Sequence, residues 1–116
     1  MDAGTMERRR HMDPVALGQA ADAAAEMLKT LSNPARLRLL CAMMQGEMSV
    51  GELEEALGAS QSYVSGQLAR MRAEGLVSAD RDGRIIRYRL ADPRIAPILE
   101  RLHEVFCPTV GVKSAI

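Results

Sequence analysis

At 116 residues the chain is the size of one domain, with room for a single core and little for a second. Three aromatics and no Trp leave that core to Leu, Ile, Val, Met and Ala, which suits packed helices, with eight Met to fill irregular gaps. Lys plus Arg equals Asp plus Glu at 15 each, so bulk charge gives no argument for a nucleic-acid partner; no apolar run approaches a membrane span and nothing reads as a signal peptide, so a cytoplasmic chain with no membrane partner is expected.

Residues 1–12 are polar, carry Arg8-Arg9-Arg10 and lack periodicity; they read as a disordered arm. Asp13-Pro14 is a helix start, with an acceptor side chain at the cap and Pro at the first helical position. Apolar residues then recur at Leu17, Ala20, Ala21, Ala24, Met27, Leu28 and Leu31, which predicts one helix to Leu31. Ser32-Asn33-Pro34 starts a second helix. Its expected apolar face is Leu37, Leu40, Cys41 and Met44, with Arg36 and Arg38 turned elsewhere and Gly46 as the stop. Ser49 and Glu52 form a capping-box pattern for a short third helix that holds Val50, Leu53, Ala56 and Leu57 and stops at Gly58. Ser60 caps a fourth, with Val64, Leu68 and Met71 inward and Gly75 as its stop. Two helices joined through Leu57-Gly58-Ala59-Ser60 make a helix-turn-helix. The β-rich runs 76–80 and 84–90 flank Arg81-Asp82-Gly83 and predict a tight hairpin. Asp92-Pro93 starts a last helix with Ile95, Ile98, Leu99, Leu102, Val105 and Phe106 apolar, ending at Cys107 because Pro108 cannot continue it. Residues 108–116 read as a loose tail. The expected fold is mainly α with a β-hairpin wing: a winged helix-turn-helix, α-α-α-α-β-β-α, in one domain over 13–107.

Charge is unevenly distributed along that order. Between Ser60 and Leu90 six Arg stand against three acids, whereas residues 47–59 hold four Glu and no base. A basic stripe on a neutral protein is a footprint for phosphate; it is also what a solvated mixed surface shows. The two cysteines, Cys41 and Cys107, lie far apart along the chain. In a reducing compartment they are either buried core thiols or a reactive pair. Position alone favours a buried Cys41 among apolar neighbours, and the dipole at a helix C-terminus disfavours a Cys107 thiolate.

Four stretches, in order, resemble the arsenical-repressor family of bacterial winged-helix regulators. Leu31-Ser32-Asn33-Pro34-Ala35-Arg36-Leu37-Arg38-Leu39-Leu40 resembles its second-helix signature, and Ser60-Gln61-Ser62-Tyr63-Val64-Ser65-Gly66-Gln67-Leu68 its recognition helix. Gly75-Leu76-Val77 and Arg81-Asp82-Gly83-Arg84-Ile85-Ile86-Arg87-Tyr88 resemble its wing. The family's metal sensors carry Cys-x-Cys in the third helix, where this chain has Ser49 and Gly51, or Asp and His ligands along the last helix, where it has only His103. No metal ligand set is therefore expected, and no cofactor. Gly66-Gln67 also departs from the family's recognition helix, which leaves base preference open. A metal-free branch keeps one Cys in the second helix and one at the end of the last, as Cys41 and Cys107 do here. The resemblance to that branch implies a dithiol sensor of persulfides and polysulfides.

What the resemblance implies is a homodimeric repressor on double-stranded operator DNA, joined through its first and last helices. Ser60, Gln61, Ser62, Tyr63, Ser65 and Gln67 would face the bases, where Gln pairs bidentately with adenine, and Tyr63 is alternatively a packing residue. Arg81, Arg84 and Arg87 would meet the backbone or the minor groove from the wing. Reactive sulfur species would bridge Cys41 and Cys107 and lower DNA affinity, with Arg36, Arg38 and His103 as candidate nearby cations. Two other regulators stay open: a haem-responsive one using Cys107-Pro108 with His103, and a constitutive one with inert thiols. A thiol enzyme needs an activated Cys in a polar pocket, which the sequence around Cys41 lacks, so no enzymatic activity is expected.

Overall fold

A computed structural model describes residues 12–107. The expected arm, apart from Met12, and the expected tail lie outside the described residues. The chain divides into two compact units that part after Pro34.

The first unit holds two helices, α1 (Pro14–Gln19) and α2 (Ala21–Leu31). Asp13 caps α1 as expected, its Oδ1 accepting from the Val15 N–H at 3.0 Å. The expected single helix is broken at Ala20, whose N–H is shared between the carbonyls of Ala16 and Leu17, 3.1 Å each. Gly18 just upstream is the residue least suited to carrying a helix through this point. Of the stripe read from the sequence, Met27 and Leu31 are buried, whereas Leu17 and Leu28 are exposed.

From Ala35 on, the second unit holds α3 (Pro34–Ala42, its first residue in the first unit), which tightens into a 3₁₀ turn (Met43–Gln45) and ends at Gly46 with φ +141°. Its buried stripe is Leu39, Leu40 and Met43, with Arg36 one turn before at its edge. That is one residue earlier than the expected face, a rotation of about 100° at 3.6 residues per turn. A two-residue strand β1 (Met48–Ser49) follows, which no sequence pattern announced. Helix α4 (Val50–Leu57) carries the expected capping box: Ser49 Oγ accepts from the Glu52 N–H, and Glu52 accepts from the Ser49 N–H at 2.8 Å. Gly58 ends α4 in the left-handed region at φ +65°.

Helix α5 (Gln61–Ala73) is capped by Ser60 and buries Val64, Leu68 and Met71, the inward set expected from the sequence. With Leu39, Leu40, Leu53, Val77 and Ile95 these form the fully buried core, where each Leu side chain removed from water stabilises by roughly 1.5–3 kcal/mol. Strands β2 (Val77–Asp82) and β3 (Ile85–Leu90) form the hairpin. The sheet runs β1-β3-β2, antiparallel throughout, with Met48 opposite Tyr88 and Asp82 opposite Ile85. The two-residue turn is thus Gly83-Arg84, one position later than expected. Gly83, at φ +66°, takes the first central position, where a glycine lets the turn follow the strand twist. Helix α6 (Ile95–Phe106) starts two residues beyond Pro93, because the Asp92 carboxylate accepts from the Arg94 N–H and holds 93–94 in a turn. The order and the wing are those of a winged helix-turn-helix. Among the described residues no helix is long and apolar enough to cross a membrane.

Candidate nucleic-acid interface and thiol cleft

The Ser60 hydroxyl accepts from the Tyr63 N–H at 3.3 Å and lies 3.5 Å from the Ser62 hydroxyl, so it fixes the first turn of α5 as well as facing outward. Gln61, Ser62 and Tyr63 are exposed there, and Ser65 and Gln67 are half-buried. Ser62, Tyr63, Gly66, Gln67 and Arg70 share an open groove along one side of the helix. An added Cβ at Gly66 would meet nothing within 4 Å, so the missing side chain leaves a notch in that groove. Arg70 was not among the expected contacts. The signal was available, since Tyr63, Gly66, Gln67 and Arg70 follow i, i+3, i+4, i+7 spacing.

The wing separates its arginines into two kinds. Arg81 and Arg84 are exposed and have no hydrogen-bond or ion-pair partner among the described residues. Arg87 is turned back, 3.5 Å from the Glu52 carboxylate and 3.7 Å from that of Asp82. Arg89 pairs with Asp80 at 2.9 Å. The net positive charge of this stretch therefore reaches solvent at the tip and along α5 rather than uniformly. The Ser49 N–H is the main reason the Glu52 carboxyl ionises below the ordinary range, with Arg87 a smaller cause.

The thiols lie on different elements of the second unit. Cys41 sits in the last turn of α3 and Cys107 caps the C-terminus of α6, donating its N–H to the His103 carbonyl at 2.8 Å. Both line one cleft whose walls are apolar, chiefly Leu37, Leu99, Leu102 and Phe106, with His103 beside them. Neither is in a disulfide, and Cys41 is exposed, although its place in the sequence taken alone favours a buried thiol. The one-residue rotation of α3 is the reason: Leu39 and Leu40 take the core positions and Cys41 is left at the cleft wall. Its apolar surroundings push the Cys41 thiol above its ordinary value, and negative charge on Cys107 pushes it in the same direction.

Of the candidate cations, His103 lines the cleft. Arg36 is held elsewhere by a bidentate pair with Glu74, Nη1 to Oε1 at 3.0 Å and Nη2 to Oε2 at 2.6 Å. Arg38 is exposed and does not line the cleft. A second, more polar hollow adjoins Cys41 at Gln45, Glu100 and Glu104. No three His, Cys, Asp or Glu side chains among the described residues are grouped to hold a metal ion.

The model of the bacterial regulatory protein arsR family matches residues 33–79, which run from the start of α3 into β2. The chain is 40% identical over 101 residues to the biofilm growth-associated repressor of Xylella fastidiosa, covering 87% of this chain and 89% of that protein. It is 37% identical over 84 residues to the transcriptional activator HlyU of Vibrio cholerae, covering 72% and 78%. Among solved structures, the transcriptional repressor BigR from Xylella fastidiosa superposes with a TM-score of 0.78 at 40% identity, covering 83% of this chain and 98% of that one. Reduced HlyU from Vibrio cholerae superposes with a TM-score of 0.71 at 34% identity, covering 79% and 97%. Fold order, wing and these likenesses agree: the chain belongs to the arsR family of bacterial DNA-binding transcriptional regulators.

Proposed function

We propose that this chain is a cytoplasmic, sequence-specific repressor that binds operator DNA as a homodimer and is released when reactive sulfur species bridge Cys41 and Cys107. The observation that carries the reading is the shared cleft: two free thiols, one from α3 and one from the end of α6, line the same apolar wall. The same reading takes Ser60, Gln61, Ser62, Tyr63, Ser65, Gln67 and Arg70 as the groove face, with Arg81 and Arg84 on the backbone. Arg87 then orients the wing through Glu52 and Asp82. Dimerisation is supported by apolar side chains exposed on both terminal segments, Leu17 and Leu28 in the first unit and Val105 and Phe106 on α6, where Phe106 is 76% exposed. A twofold pair of recognition helices would meet half-sites about 34–36 Å apart.

The chemistry balances with an organic trisulfide as donor. One protein thiolate attacks the central sulfur, an S–S bond breaks, and a small thiolate leaves and takes up a proton. The second protein thiolate then attacks the transferred sulfur and expels the remaining small thiolate. Two protein thiols and one trisulfide become a Cys41–S–S–S–Cys107 bridge and two small thiols, the donor being the oxidant. A plain disulfide needs Cα atoms within about 7 Å, and each inserted sulfur adds ~2 Å of reach. Tying α3 to α6 should weaken DNA binding by about 5–150-fold, the usual range for coupled sites.

The test treats reduced protein with a dialkyl trisulfide and follows two readouts. Mass spectrometry should find the Cys41 and Cys107 peptides linked through added sulfur, and anisotropy at one salt concentration should show the loss of affinity. Unlinked peptides, or a linked dimer with undiminished affinity, would overturn the reading.

A further inference from the structure

The C-terminal end of α5 is bonded through Glu74 to the thiol-bearing helix α3 and through Leu76 to the segment that leads into α6. We propose that Glu74 is a positioning residue that carries the state of the thiol cleft to the recognition helix. The inference rests on the proposed dithiol function.

Glu74, Gly75 and Leu76 close α5 with two reverse bonds, Gly75 N–H to the Arg72 carbonyl at 3.0 Å and Leu76 N–H to the Met71 carbonyl at 2.9 Å. Gly75 at φ +78° is the left-handed residue this closure needs. With Leu76 and Met71 both buried, this end of the helix is a fixed body. Helix α3 is fastened to it by the Arg36–Glu74 pair, two hydrogen bonds from a guanidinium whose side chain is only 14% exposed. A bidentate fork holds orientation as well as distance. The route into α6 is fastened to it from the other side, since the Leu76 carbonyl accepts from the Ala91 N–H at 2.8 Å.

The result is a closed circuit. From 74–76, one arm runs along α3 to Cys41 and the other through 91–92 and along α6 to Cys107. The arms meet again at the cleft. Linking the two sulfurs changes the angle between arms whose other ends share one anchor, and that anchor is the end of the helix that reads DNA. Rigid helices transmit such a change only if their joints hold. The joint to α6 is backbone and continues the β2–β3 ladder. Helix α3 shares the apolar core with α5, but its polar joint to 74–76 is a side-chain pair, and that is where the coupling can be cut while the core, the thiols and the DNA-facing side chains stay in place.

The experiment compares wild type, Glu74→Gln and the charge swap Arg36→Glu/Glu74→Arg on a duplex selected in vitro with reduced wild-type protein. Each is measured reduced, after dialkyl trisulfide, and after dibromobimane, which joins two thiols by two C–S bonds with loss of two bromides. Link formation is read by mass spectrometry in the same samples. Glu74→Gln with free thiols should bind within about threefold of wild type and form the link as fully. Its loss of affinity on linking should shrink to less than about a third of the wild-type fold-change, and the swap should restore at least half. A full response in linked Glu74→Gln overturns the proposal, as does a drop in thiol-form affinity equal to the loss of response. Wild type that answers to dibromobimane and not to the trisulfide overturns the sulfur reading alone. Wild type that answers to neither overturns both.

Discussion

Replacing Arg84 by Gln takes one cation off the wing tip with little effect on the fold, because the side chain is exposed and has no partner among the described residues. Substitutions of that kind change stability by less than about 0.5 kcal/mol. Their effect on DNA is larger and has a known form. Removing one phosphate-neutralising cation reduces the slope of log K against log salt by about 0.9 on B-DNA, so a dimer that lays down two wings forfeits about 1.8. Between about 50 and about 200 mM salt, wild type should therefore lose about 12-fold more affinity than Arg84→Gln. Arg87→Gln supplies the contrast. Its guanidinium is occupied by Glu52 and Asp82, so its removal should shift the wing and weaken binding while changing the slope less than half as much. Fluorescence anisotropy at four salt concentrations on one selected duplex measures both. An unchanged slope for Arg84→Gln, or equal changes in the two variants, would refute the division of the wing arginines into free and committed.

Iodoacetamide should react with Cys41 at a rate still rising with pH where a small thiol has levelled off, since burial is the main cause of its raised value; Cys107→Ser should move that profile down only part of the way. A Cys41 profile that levels off before the small thiol contradicts the apolar cleft. Gly75→Ala should destabilise by about 1–2 kcal/mol in urea titration, all of it backbone, because φ is +78° and an added Cβ would meet nothing within 4 Å. No change in midpoint would remove Gly75 from the helix closure. Glu74 ionises below the ordinary carboxylate range chiefly through its hydrogen bond from Arg36. Its folded value is depressed, so its contribution is present above the unfolded value near pH ~4.3 and is lost as pH falls through the folded one. Glu74→Gln should flatten the acid limb of stability against pH, and an acid limb identical to wild type denies the pair any such role.

Much of this architecture was legible because each stop and start has a local chemical cause. Ser49 with Glu52, Ser60, and glycines at 46, 58 and 75 mark their boundaries by what their own atoms can bond or which φ they tolerate. Where an element depends on a partner distant in sequence, the pattern was silent or misleading. The strand Met48–Ser49 exists only because Tyr88 and Arg87 lie opposite it. On α3 the misplacement has a single source. A guanidinium is normally assigned to solvent, so Arg36 was placed off the core face and the stripe was set on Leu37 and Cys41. Leu39, Leu40 and Met43 take the core positions, and Arg36 lies at the core edge with its guanidinium bonded to Glu74, 38 residues away. Two departures from the sequence reading meet on this helix, and burial of the three apolar side chains is the stronger cause. The pair with Glu74 commits the cation expected near the thiols, and the burial of Leu39, Leu40 and Met43 leaves Cys41 on the wall it shares with Cys107.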